Sequence, residues 1–101
     1  MIHSPPAQVH KMPNDVVLAS WYAKGLKNPL AMTCASNMHP RKTLLAVRVS
    51  QADPWTILRV NDYGPDPRTA KGRVLDVSLS AARRLGMEKI GLAFLEVRVL
   101  R

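Results

Sequence analysis

One cysteine, Cys34, stands in 101 residues, so no disulfide can form within the chain. That leaves the compartment open, because exported proteins need no disulfide. No apolar run approaches the ~18 residues of a membrane helix, which excludes a helical span. The start, Met1-Ile2-His3-Ser4-Pro5-Pro6, has neither the basic n-region nor the apolar h-region of a signal peptide. On that reading the chain is not exported by this route, or its leader has been removed. Glycine-rich phosphate loops are absent. His3, His10 and His39 share no metal-ligand spacing and no cysteine pair joins them, so neither a metal nor another cofactor is expected. Cys34 and His39 lack a third group to orient them as nucleophile and base, which leaves Cys34 as a small buried residue. Acidic residues are scarce: 7 Asp and Glu against 15 Lys and Arg, a net charge of +8. This balance suits polyanions such as nucleic acid, anionic lipid or an acidic wall polymer, and equally a simple solubility bias. The basic residues are scattered singly or in pairs (Arg41-Lys42, Arg83-Arg84), without aromatic interleaving, so a nucleic-acid partner is disfavoured.

What remains is ordinary globular material, 47% hydrophobic and 22% charged. The length suits one domain burying roughly 60–70% of its unfolded surface. Residues 1–15, with Pro5, Pro6 and Pro13, read as a polar arm, and residues 16–101 as the domain. Strand candidates are Val16 to Ala23, Leu44 to Val49, Trp55 to Val60 and Ala93 to Leu100. A turn at Ser50 to Pro54 pairs the middle two as a hairpin, with Leu58 and Val60 facing one side and Arg59 and Asn61 the other. In the last, Leu95, Val97 and Val99 alternate against Glu96 and Arg98, the pattern of a half-buried strand. Ala31 to Ser36 is ambiguous between a helical turn and a tight strand, and Val74-Leu75 is a very short strand running into Asp76. One helix follows, capped by Ser78 and stopped by Gly86, with Arg83 and Arg84 in its last turn. The fold class is mostly β: five or six short strands and a helix, arranged as a small closed barrel.

Two aspartates are the candidates for chemistry. Asn61-Asp62-Tyr63-Gly64-Pro65 puts a carboxylate at a strand end before a tight turn, where turn-making alone explains it. Asp76 ends a strand two residues before the helix cap, where complementing the helix dipole explains it. Their strands are alike, Leu58-Arg59-Val60-Asn61-Asp62 and Gly72-Arg73-Val74-Leu75-Asp76, so the two carboxylates can converge on one groove. The flat faces of Trp21, Tyr22, Trp55 and Tyr63 suit sugar rings or bases, although core packing is the commoner role for any one of them.

Read together and in order, several segments carry a resemblance. They are Ala19-Ser20-Trp21-Tyr22, Met32-Thr33-Cys34-Ala35-Ser36, Val60 to Pro65, Gly72 to Ser78 and Ala81-Ala82-Arg83-Arg84-Leu85-Gly86-Met87. The chain resembles the rare lipoprotein A-type double-psi β-barrel, related to the barrel domains of expansins and some lytic transglycosylases. The resemblance implies a six-stranded barrel, one or two short helices, and a groove for peptidoglycan or a related anionic cell-wall polysaccharide. It implies a monomer at the cell envelope or outside the cell. It assigns acid/base chemistry to Asp76 with Asp62 tuning it, and groove lining to Tyr22 and Thr33. Trp21, Asn61 and Tyr63 are expected beside them as substrate-binding residues. The family's Thr-Ala-Ser-Gly-Glu stretch is missing: the loop from Lys24 to Ala31 is short and has no acidic residue. Ser36 occupies the place of the family's histidine and is the expected groove residue there, with His39 three residues on. The activity implied is a lytic transglycosylase. The alternatives are a non-catalytic, expansin-like glycan-binding module, or a basic nucleic-acid-binding or virus-particle domain. For an acid role, the helix dipole and Arg73 both push Asp76 the wrong way, so the enzyme reading requires Asp62 to lie adjacent and share a proton with it.

Overall fold

The β-branched and aliphatic runs fold as read, in a computed structural model that describes residues 14–101. The expected arm lies outside the described residues as far as position 13. Its last two positions belong to the barrel, since Asp15 opens the first strand and Asn14 Nδ2 donates to Glu96 at 2.6 Å. The elements are β1 (Asp15–Tyr22), β2 (Thr33–Ser36), β3 (Leu44–Arg48), β4 (Thr56–Tyr63), β5 (Arg73–Ser78), α1 (Leu79–Leu85) and β6 (Ala93–Val99). The six strands close into a barrel in the order β1-β5-β2-β4-β3-β6. β1 with β5 and β2 with β4 are parallel, and the other four pairings are antiparallel. This is a double-psi β-barrel.

Local sequence accounts for much of it. In β4, Leu58 and Val60 are buried while Ile57, Arg59 and Asn61 face out, and the strand pairs with β3 as the expected hairpin. The ambiguous segment is a strand, β2, because β4 and β5 flank it and satisfy its backbone on both edges. In β6, Leu95 and Val97 are buried, but Val99 is 53% exposed, since the strand runs past the barrel core before it ends. Leu45, Val47, Leu58, Val60, Leu75, Val77 and Leu95 form that core, with Ala81, Ala82 and Met87 closing it from the helix side. Each large aliphatic side chain buried there contributes about 1.5–3 kcal/mol relative to exposure. On the outside, Trp55 lies under the guanidinium of Arg48 at 3.9 Å and that of Arg98 at 4.9 Å from its ring centre, so its flat face is taken.

Ser78 joins strand, helix and loop. Its Oγ accepts the Ala81 N–H as helix N-cap, accepts the Thr33 N–H, and donates to the Ala31 carbonyl at 2.7 Å. Gly86, at φ 74°, ends the helix in the left-handed conformation that suits glycine. Ser78→Ala should therefore cost about 2–3 kcal/mol, more than a surface cap, because it strands backbone groups at all three partners, at least one of them buried. Urea unfolding of the variant, compared at constant slope, measures this.

Candidate functional site

Register brings the aspartates together. Ala35 on β2 pairs with Asp62 of β4 on one side and with Asp76 of β5 on the other. Paired residues share a sheet face, so both carboxylates flank one small side chain, with Cα atoms two strand spacings or roughly 10 Å apart. Strict alternation from Leu58 and Val60 would point Asp62 into the core. Instead the β2–β4 register steps by one residue, Cys34 pairing with Val60 and Ala35 with Asp62, which leaves Asn61 as an extra residue. That bulge turns Asp62 outward. Asp76 sits within β5, two residues before its end, rather than at the strand terminus, and alternates outward between buried Leu75 and Val77.

The two residues live in different environments. Asp62 is exposed, and its Oδ1 accepts the Tyr63 N–H at 2.8 Å. Asp76 is half-buried, and loss of solvent pushes its carboxyl above the usual carboxylate range. A hydrogen bond from Ser20 and the charge of Arg73 pull it back without cancelling the shift. The contacts form a relay: Arg73 Nη1 donates to Ser20 Oγ at 3.1 Å, and Ser20 Oγ donates to Asp76 Oδ1 at 3.1 Å. The expectation that Asp62 raises Asp76 is corrected here, because burial does so by itself. Both carboxylates act instead on Tyr22. Burial raises its phenol, the Thr33 bond opposes this, and the charges of Cys34, Asp76 and Asp62 add to the rise. Tyr22 Oη and Thr33 Oγ1 are 3.0 Å apart, bridging β1 and β2 at the groove floor.

These residues line a groove of about 870 Å³. Tyr22, Thr33, Asn61, Asp62, Tyr63 and Asp76 all reach it, and Tyr63 is 67% exposed there. The loop through Lys24 and Lys27 forms one rim, and Arg41 stands on the lining too. Asn37 Nδ2 holds the Tyr63–Asp66 wall by donating to the Pro65 carbonyl at 3.0 Å and to that of Arg73 at 3.2 Å.

Two expected residues do not reach the groove. Trp21 alternates to the opposite face from Ser20 and Tyr22, packs against the core, and donates from Nε1 to the Glu88 carbonyl at 3.0 Å. Ser36 is buried with Cys34 on the inner face of β2, and its Oγ accepts the N–H groups of Met38 and His39. It shapes a turn. Cys34 is fully buried and its thiol is pushed up to about 12, chiefly by burial, so it supplies no nucleophile. Among the described residues no group of His, Cys, Asp and Glu could hold a metal ion. The reading of the sequence missed Ser20, whose place two residues before Tyr22 puts it on the same face, and Arg41, for which nothing local gives a signal.

Residues 14–97 match the family model described as lytic transglycolase. The chain belongs to that family. Among curated relatives of the chain is a probable endolytic peptidoglycan transglycosylase RlpA of Nostoc sp. It is 41% identical over 73 residues, which is 72% of this chain and 19% of that protein. The endolytic peptidoglycan transglycosylase RlpA of Vibrio cholerae is 30% identical over 92 residues, 81% of this chain and 34% of that protein. The domain thus spans about a fifth to a third of those relatives. In fold it is similar to the apo expansin of Clavibacter michiganensis, at a TM-score of 0.65 and 21% identity over 89% of this chain and 51% of that one. Cerato-platanin 3 of M. perniciosa shares the fold at a TM-score of 0.64 and 10% identity, covering 86% of this chain and 95% of that one.

Proposed function

We propose that this domain cleaves peptidoglycan glycan strands as a lytic transglycosylase, with Asp76 as its one acid/base. The observation that carries the reading is a half-buried carboxyl, its pKa raised by burial, on the floor of an open groove. A protonated Asp76 gives its proton to the glycosidic oxygen as the bond from the muramyl C1 breaks. The resulting carboxylate takes the proton of the muramyl 6-hydroxyl while O6 bonds to C1. A 1,6-anhydro ring closes, Asp76 is protonated again, and no water is consumed. One carboxyl therefore suffices, unlike the paired carboxylates of glycoside hydrolysis. This accommodates the absence of an acidic residue between Lys24 and Ala31.

Asp62 is then a positioning group that accepts sugar hydroxyls, and Tyr63 offers a ring face for stacking. Tyr22, held neutral, can donate to the strand. The groove is built by β1, β2, β4 and β5 of one copy, so the working unit is a monomer, acting where the wall is, at the cell envelope.

The test is incubation with purified sacculi, followed by mass spectrometry of the released material. Muropeptides ending in 1,6-anhydromuramyl groups are expected. Sedimentation with sacculi and no such product would reduce the domain to a binding module.

The acid role also fixes the sign of a pH effect. Activity needs the protonated form and falls as pH rises through the Asp76 pKa. Ser20→Ala removes the bond that favours the carboxylate, so the pKa climbs and the alkaline limb of kcat/KM moves to higher pH. A pH–rate profile of the two proteins checks this, and a limb that stays in place or moves down contradicts it.

A further inference from the structure

The groove continues beyond Asn61. A second concavity of about 360 Å³ is walled by Arg41, Lys42, Arg59, Val60 and Asn61, and it shares Arg41 and Asn61 with the main groove. All three cations are exposed. Arg59 is set outward by the alternation that buries Leu58 and Val60. The Lys42 backbone is tied to β4, its N–H donating to the Val60 carbonyl at 2.7 Å, while the Val60 N–H donates to the carbonyl of the next residue, Thr43, at 2.9 Å, and Arg41 precedes this pair.

Among the described residues none of the three has an acidic partner. Ion pairs among the described residues are Arg48–Glu96, Arg68–Asp66 and Arg83–Glu88, none of which draws on this concavity. Like charges gathered on one wall repel one another, a cost that a bound anion would relieve. Lys42 also holds φ 78°, a left-handed backbone that favours glycine, so the site carries a side chain where the backbone would prefer none. The carboxylates of the main groove lie on the other side of Asn61, on β4 and β5. A strand lying along both concavities therefore meets acids at the reacting bond and cations one step away.

We propose that this extension is a carboxylate subsite, in which Arg41, Lys42 and Arg59 hold the acid carried by a muramyl residue of the bound strand. The proposal rests on the glycan reading of the groove and deepens it to substrate class: carboxylate-bearing strands over neutral ones. Arginine's planar fork matches a carboxylate in two parallel hydrogen bonds, and lysine adds a point charge. The acid has two sources of the same chemistry, the lactyl group of a strand without peptides and the peptide of a substituted one.

The experiment measures the affinity of the full chain for three strands of equal length: peptide-free glycan, peptide-bearing glycan and neutral chito-oligosaccharide. At about threefold per exposed charge pair, one or both carboxylate-bearing strands should bind about 30-fold tighter than the neutral one at low salt. The gap should narrow as salt is raised. Whichever charged strand binds tighter identifies the source. Lys42→Gln with Arg59→Gln should shrink the preference to about threefold. Equal binding of charged and neutral strands, or a preference that survives the double variant, overturns the subsite while leaving the glycan groove intact. Failure of all three strands to bind overturns both.

Discussion

Asp76→Asn should lower the release of 1,6-anhydro products about 10²–10⁴-fold, the range expected when a positioned general acid is lost. The amide keeps the shape of the carboxyl and can still meet Ser20, so the fold and glycan binding should persist. It can neither give nor take the proton, and both halves of the reaction use the same group. The variant also carries a stability signature. Folding favours protonated Asp76, because burial raises its pKa above that of the unfolded chain. Its contribution to stability is therefore full below the unfolded pKa and is lost as pH rises through the folded one. Asparagine removes that dependence. At neutral pH the variant should be no less stable than the parent, and in acid its relative advantage should shrink. Thermal unfolding across pH, run beside the product assay, separates a lost acid from a damaged fold. Products released at the parental rate would exclude Asp76 as the acid.

Ala35→Leu should be nearly as damaging, with about a 100-fold loss of activity. Ala35 lies between Asp62 and Asp76 and lines the groove floor. Its Cβ is also 4.0 Å from where a side chain on Gly64 would begin, so Gly64 lies beside it on the groove wall. A leucine there fills the space between the carboxylates and lifts a strand away from the acid. Because the added atoms project into an open groove, unfolding in urea should change little. A loss in kcat/KM with unchanged stability is the expected split. Full activity would mean that the strand does not cross β2.

Elements governed by neighbours in sequence were legible. The β3–β4 hairpin, the alternation of Leu58 and Val60, and the Ser78 and Gly86 caps all follow from residues a few positions apart. Turn chemistry and capping left Asp62 and Asp76 as ordinary strand-end residues, the resemblance singled them out, and register brings both to one groove. What escaped was set by distant partners. Whether Thr33 to Ser36 is strand or helical turn depends on β4 and β5, which lie far along the chain. The bulge at Asn61 is visible only against β2, and without it Asp62 reads as inward-facing. Asp76 is raised by how deeply β5 sits among its neighbours, which no local pattern encodes. Trp21 and Ser36 were misplaced because membership of a motif says nothing about which strand face a residue takes.

The closing role of β6 has a kinetic side. It pairs with both β1 and β3, so two sheet edges stay open until residues 93–99 are in place. β1 in turn waits for β5, more than fifty positions away by the Ser20–Asp76 pairing, before its other edge is covered. Such non-local closure slows folding and leaves bare edges available to neighbouring chains in the meantime. A ribosome releasing this sequence therefore holds an unfinished, adhesive sheet almost until the last strand emerges, and that interval, more than the finished barrel, is where a shielding chaperone would be needed.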